Sequence, residues 1–325
     1  MLNAKWSSIF IAVLVLILYG TGWWVSREPA MLTDEIQQSR QQLGQNVVTG
    51  YMTTTALIRV SETLLDKSGG YLANDIMPPF VMLDNMPAWE LGVLEMSRDL
   101  ALALRKDLSR SQSQSTENTY LKIAQPMFNI DHRSWAIPSA ESEYRKAIEQ
   151  LYKYRQELMD PAMPDAQFYA RADNLRDWLK AVEKRLGSYS QRLSASVGQD
   201  RVNTDLAGDA AARQSTFTPA NQVVKTSWWK LDDEFYEARG ASWALLHFLK
   251  AVEVDFADVL QRKNAMVSLR QIIRELEATQ QTVWSPMVLN GSGFGLMANH
   301  SLVMANYISR ANAALIDLSE LLTQG

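Results

Sequence analysis

The sequence predicts an all-α protein: a single N-terminal transmembrane helix followed by an elongated helical bundle with coiled-coil-like hairpins. Three observations carry this expectation. Residues 6–25, "WSSIFIAVLVLILYGTGWWV", contain no charge. Apolar seams at alternating steps of three and four recur down the rest of the chain. Sustained period-two alternation is missing, and no Asn-Gly hairpin joins two apolar runs.

As a helix, the 6–25 stretch measures about 30 Å, the hydrocarbon thickness of a bilayer. Trp6 stands at one edge and Trp23 with Trp24 at the other, where an aromatic belt belongs. A cleaved signal peptide would end in a small-x-small pattern, whereas here bulky "GWWVSREP" follows the apolar run. Lys5 and the terminal amine precede the span, and Arg27 is offset by Glu28 after it. The positive-inside rule then places residues 1–5 in the cytoplasm and the rest outside it, in the bacterial periplasm. The expected division is 1–5 tail, 6–25 span, 26–45 juxtamembrane segment and 46–325 all-α domain. A five-residue tail leaves no room for a cytoplasmic output domain.

Composition removes several classes of function. The chain is 325 residues long with a formal net charge of −4, and no basic face argues for nucleic acid. With no cysteines, disulfides, thiolate metal sites and cysteine nucleophiles are excluded. At 47% hydrophobic, the chain has the means for a packed core.

Helices are expected at about 46–66 and 87–109, the second entered through Asn85 and Pro87. Phe168, Ala172, Leu175, Leu179, Val182 and Leu186 alternate steps of four and three, continuing to Leu193. That is a coiled-coil seam rather than the wider stripe of a globular helix. Tyr144, Ile148, Leu151 and Leu158 form another, and the prolines of "MDPAMPDA" separate the two. The expectation is an antiparallel hairpin over 139–194, with Ser139 as an N-cap. Further seams run from Leu231 to Val259, from Met266 to Leu276 and from Met304 to Leu322. A register slip near Lys263–Asn264 leaves open whether 228–282 is one helix or two.

Three stretches break the helical pattern. Residues 198–222 are polar and small, a flexible connection. No charged residue occurs between Ala278 and Ser309, but the Asn, Ser, Gly and Pro content argues against a second span. A loop packed on protein or a patch touching the membrane surface fits better. The third stretch is "KSGGYLANDIMPPFVMLDNMPAWE", 67–90. Gly69 and Gly70 close a helix, Pro78-Pro79 holds the chain extended, and Pro87 opens the next helix. Those roles leave Tyr71, Leu72, Ile76, Phe80, Val81 and Met82 without a purpose, on a connection longer than most. They make either a lid on the bundle or an aromatic surface for a partner.

The strings "GGYLANDIMPPFVMLDNMPAWELGVL", "DLSRSQSQST" and "PSAESEYRKAI", behind an N-terminal anchor, resemble the proteobacterial family catalogued as domain of unknown function 2333. The resemblance covers essentially the whole chain. It implies an inner-membrane protein and supplies no catalytic residues.

Candidate chemistry is sparse. His132, His247 and His300 lie in separate segments without zinc-ligand spacing, so no metal and no cofactor is expected. "NGSGFG", 290–295, matches neither a nucleophile elbow nor a dinucleotide loop and reads as a tight turn before the last helix. "SRSQSQST", 109–116, reads as a helix connection. Asp84 and Glu90 are the carboxylates to consider as catalytic: a carboxyl against the Trp89 indole acquires the raised pKa of a general acid for sugar-chain cleavage. The plainer alternative is that they complement the start of a helix. Tyr71, Phe80, Met82, Trp89 and Phe294 are the candidates for a ligand or partner surface. Together these features favour a non-enzymatic periplasmic scaffold or adaptor. It would engage an envelope protein or a second copy through coiled-coil faces, the charge-poor loop 67–90 and the uncharged loop 283–297. The alternatives are a cell-wall polymer hydrolase using Asp84 and Glu90, and a module binding lipid or another small apolar ligand.

Overall fold

In the computed structural model, the described residues are 4–32, 48–111, 116–160, 162–163, 166–203, 219, 221–285 and 287–324. The main-chain hydrogen bonds give α1 (Ala4–Val25), α2 (Tyr51–Asp66), α3 (Asn85–Ala103), α4 (Thr119–Phe128) and α5 (Ala140–Leu158). They continue with α6 (Ala172–Ser194), α7 (Leu231–Asp255), α8 (Ala257–Arg262), α9 (Met266–Thr279) and α10 (His300–Thr323). The protein is therefore mostly all-α, as its seams predict. Among the described residues α1 is the one helix long and apolar enough to cross a membrane.

Local chemistry sets several helix starts. Ser139 caps α5 by accepting from Ser142 N at 3.3 Å, and Asn118 and Asn299 do the same for α4 and α10. Helix α2 begins after Gly50, which has no side chain to cap with. Asp255 supplies the cap from across the bundle: its Oδ2 accepts from Thr53 N and Thr53 Oγ1, both at 2.6 Å. Burial pushes the Asp255 carboxyl up to about 6, against the pull of those bonds.

Apart from α1 and the short α8, successive helices run up and down between two ends. At one end Lys67 meets Glu90, Asn74 meets Glu141, Arg239 meets the carbonyls of 279–281, and the Phe235 and His300 rings lie 6.5 Å apart. At the other, Thr53 meets Asp255, Tyr169 N donates to Leu108 O, and Lys263 reaches Gln324 O. Four connections, 67–84, 129–139, 195–230 and 280–299, gather at the first end. Helix α1 joins there too, so it is called the anchor end.

Helix α7 is the axis of the bundle. Every residue from Ala238 to Leu249 is buried. Its seam of threes and fours therefore captures one face of a helix enclosed on all sides. It packs most closely on α3, where Gly92 and Gly240 permit contact. A Cβ on Gly92 would lie 2.0 Å from Glu237 O, and one on Gly240 2.1 Å from Trp89 O.

Four expectations need correction. Helices α5 and α6 run in opposite directions but do not form a hairpin: α5 packs on α4 and α2, while α6 packs on α10. The α6 seam, Leu175 to Leu193, is buried in the chain's own core and offers no coiled-coil face outward. Residues 228–282 form three helices, and the chain reverses at Asn264 (φ 50°). The ends of the 198–222 connection pair as two antiparallel strands, β1 (Gln199–Val202) and β2 (Asn221–Val224). These strands are mostly exposed on both faces, so they left no alternation to read. Residues 204–218 and 220 of that connection lie outside the described residues, as do 112–115 of the Ser/Gln-rich segment.

Candidate functional site

The connection after α2 begins as its glycines predict. Gly69 (φ +87°) and Gly70 (φ +75°) take the left-handed conformations that end a helix cheaply only when glycine is present. From there the chain folds around one carboxylate. Glu90, on the second turn of α3, is fully buried. It accepts from Leu72 N at 2.9 and 3.1 Å and from Ala73 N at 2.7 Å. The buried Lys67 ammonium donates to it and to Gly70 O. Burial pushes the Glu90 carboxyl up, and the lysine and the two amides pull against that. Both carboxylate oxygens are thus committed to holding residues 67–73 against α3, and no face of the group is open to a substrate.

Asp84 is exposed and caps α3, accepting from Asn85 N at 2.9 Å. The carboxylates that share its surroundings come from the first turn of α7, a source the sequence reading overlooked. Burial, together with Asp84 and Asp232, pushes Asp233 up to about 6. Arg192 of α6 holds the neighbouring Glu234 and Glu237 at 2.5 and 2.6 Å. Between α7 and the 67–84 connection lies a groove of about 530 Å³, lined by Phe80, Leu91, His132, Lys230, Asp84 and Asp233 among others. A carboxyl whose pKa is raised to about 6, facing a second carboxyl across one cleft, is the kind of pair between which acid and base roles can be divided. The legible signal was the run "LDDEF" at the head of a buried helix, which places acids at its N-terminus.

Of the apolar candidates, Tyr71 and Trp89 belong to the core. Tyr71 donates to His132 O at 3.1 Å and stands edge-on to Tyr144, while Trp89 is fully buried against Trp243. Neither presents a surface, because both rings fill the space beneath the connection. Phe80 is half-buried on the groove wall; Met82 and Phe294 are exposed. The chain turns at Pro78-Pro79 instead of running extended, entering a single 3-10 turn at Phe80–Met82. The 67–84 and 280–299 connections do approach each other: Asp84, Met287 and Val288 line one cleft of about 220 Å³ together with Trp228 and Trp229. Neither tryptophan was singled out from the sequence, though the "SWWK" doublet ahead of α7 was visible.

The 280–299 connection is closed by backbone bonds. Asn290 and Asn299 form an antiparallel bridge, Gly291 N donates to Ala298 O at 3.0 Å, and Leu289 N donates to His300 Nδ1 at 3.1 Å. The tight turn expected within 290–295 is present, with Gly295 N donating to Ser292 O at 2.9 Å, and it sits at the tip of a small looped hairpin. Behind it an apolar hollow of about 300 Å³ is lined by Phe235, Arg239, Trp284, His300, Met304 and Tyr307. His247 lies elsewhere, in the core against Trp243, and burial lowers it to about 3. Among the described residues, no three His, Cys, Asp or Glu side chains are arranged to hold a metal ion.

The exit of α1 is part of the same construction. Val25 is buried in the hollow over Gly69, where an added Cβ would come within 2.7 Å of it. Gly22 faces Leu83. Beyond the helix, Glu28 pairs with Arg239 at 2.7 Å, and Leu32 N donates to His247 Nε2 at 3.4 Å.

The model of one family matches residues 2–325, and the chain belongs to that family, DUF2333, described as an uncharacterized protein conserved in bacteria. No curated protein and no solved structure matches the chain.

Proposed function

We propose that this member of the DUF2333 family is a single-pass, non-enzymatic scaffold of the bacterial cell envelope. Its helical domain is held against the outer face of the inner membrane by α1. The observation that carries this reading is the continuity of anchor and domain. Val25, Glu28 and Leu32 are fixed to Gly69 of the 67–84 connection and to Arg239 and His247, about two turns apart on the central helix α7. Removing a signal sequence at that point would open the core over Gly69 and strand the partly buried Arg239–Glu28 pair. A flexible tether would let the domain swing, whereas this arrangement gives it one orientation on the membrane.

The groove beside Phe80 is the surface that supports an adaptor role, since the helical seams are enclosed. Its mixture of apolar walls and carboxylates suits a basic, partly apolar segment of an envelope protein. Two measurements test the reading. The intact mass of the protein from membranes should include residues 1–25, and a thiol at Val267→Cys should react with an impermeant maleimide in spheroplasts. A photocrosslinking probe at Phe80 should give a discrete adduct to one envelope protein, lost when the probe moves to Val267. A soluble, processed chain would sink the anchor; probe adducts to no protein would sink the adaptor.

A second reading rests on Asp233. Its raised pKa beside Asp84 supports acid–base cleavage of a cell-wall polymer in the same groove. Asp233→Asn would then abolish the cellular phenotype while leaving folding intact, whereas a scaffold would keep most of its function.

A further inference from the structure

We infer that the anchor end of the domain is a lipid-contacting rim, seated in the interfacial layer of the membrane leaflet through which α1 leaves. The inference rests on the anchored reading above and goes beyond it, since a tethered domain need not touch the bilayer.

Distribution is the first argument. Outside α1 and among the described residues, large hydrophobic side chains more than half exposed occur in all four anchor-end connections. Met82 represents the first, Trp135 and Ile137 the second, Trp229 the third and Phe294 the fourth. The only others are Val303, in the first turn of α10, and Val267 at the opposite end. Exposed apolar patches on this scale mark a surface that something covers. Four separate connections around one helix exit suit a planar occupant better than a single groove-seeking peptide.

Depth is the second. Helix α1 needs its 20 apolar residues, 6–25, to cross about 30 Å of hydrocarbon, so Gly22 lies inside the bilayer edge. Leu83 packs against Gly22, so the 67–84 connection is drawn to that depth. Arg27 stacks on Trp23 with its guanidinium carbon 4.0 Å from the ring centroid, an arrangement suited to the headgroup boundary.

Composition is the third. The rim is rich in tryptophan and carries exposed Arg133 and Lys230 as well as Asp84 and Asp131. This mixture fits the interface, where amphipathic rings and charges both find partners, rather than the hydrocarbon interior.

The absence of cysteine makes the test direct. Single thiols would be placed at Leu14, Met82, Trp229, Phe294 and Val267 of the full-length chain and spin-labelled. The protein would be reconstituted in phosphatidylethanolamine–phosphatidylglycerol vesicles. Accessibility to oxygen would be compared with accessibility to a water-soluble nickel chelate. The expected result is a lipid signature at Leu14 and an oxygen-to-nickel ratio at Met82, Trp229 and Phe294 several-fold above that at Val267. If Leu14 reads as lipid and the three rim positions read as water, the rim is overturned while the anchor stands. If Leu14 itself reads as water, the anchored reading fails and takes the rim with it. Protection of the rim from both reagents means a protein covers it, a second copy or a partner, and overturns the lipid assignment.

Discussion

The 67–84 and 280–299 connections are alike in sequence, both glycine-bearing, aromatic and poor in charge, yet the structure treats them in opposite ways. The first is bound into the core through Lys67, Glu90 and the amides of Leu72 and Ala73. The second is closed mainly by its own backbone, and its tip holds Phe294 and Leu296 fully in the open. Low charge and high apolar content therefore mark a connection that is not merely solvated, without saying what it meets. The deciding element is one buried ion pair, whose partners stand 23 positions apart.

Breaking that pair should have the largest effect. Lys67→Met leaves the Glu90 carboxylate buried without its cation, and the expected loss is about 3–5 kcal/mol of unfolding free energy. Adding Glu90→Leu should recover much of it, because removing both charges also removes the cost of burying them. Denaturant midpoints of the full chain would show this; a loss under about 1 kcal/mol for Lys67→Met would mean the connection is held by its apolar contacts instead. A smaller effect is expected from Gly69→Ala. The residue has φ +87° and its new Cβ would press on Val25 at 2.7 Å, so about 1–3 kcal/mol is expected. Proteolysis between residues 25 and 32 should accelerate in parallel, since Val25 loses its seat.

Much of the fold was legible because helical periodicity is local. The seams at 172–193 and 304–322, the cap at Ser139 and the glycines after α2 all depend on residues a few positions apart, and the structure places them as expected. Pairing between helices was not legible. A seam states that a helix buries one face, not which helix covers it, and so α6 found α10 instead of α5. The site divided in the same way. Glu90 was noticed for standing beside Trp89, but its role depends on Lys67, whose approach no spacing rule foretells. Asp233 was missed because acids opening a helix are ordinary, and its raised pKa comes first from burial in the folded chain and then from Asp84 in a different segment.

The Asp84–Asp233 repulsion gives a pH dependence that further separates the two connections. Asp233 has its folded pKa raised from 3.8 to about 6. Above pH 6 it is ionised in both folded and unfolded chains, and the fold bears the cost of burying that charge and, after it, the repulsion from Asp84 and Asp232. As pH falls from 6 toward 4, the folded chain takes up the proton first, so this group adds stability. Asp84→Asn removes one source of the shift and should shrink that gain. Comparing the two proteins at pH 7 and pH 5 isolates it from other titrations. A matching substitution in the 280–299 connection has no charge to remove.

The smallest effect on stability is expected where the sequence looks most apolar. Phe294 and Leu296 are fully exposed, so replacing both with serine removes almost no buried area. The denaturant midpoint in detergent should stay within about 0.5 kcal/mol of the parent, as for other surface substitutions. In phosphatidylethanolamine–phosphatidylglycerol vesicles the same double substitution should lower the oxygen-to-nickel ratio of a spin label at the neighbouring Met297→Cys. The two readouts together separate a tip that meets lipid from one that packs on its own domain. A loss above about 1 kcal/mol in detergent would show packing within the chain. The two connections would then differ only in the strength of their attachment, and the contrast between a pinned loop and a free one would disappear.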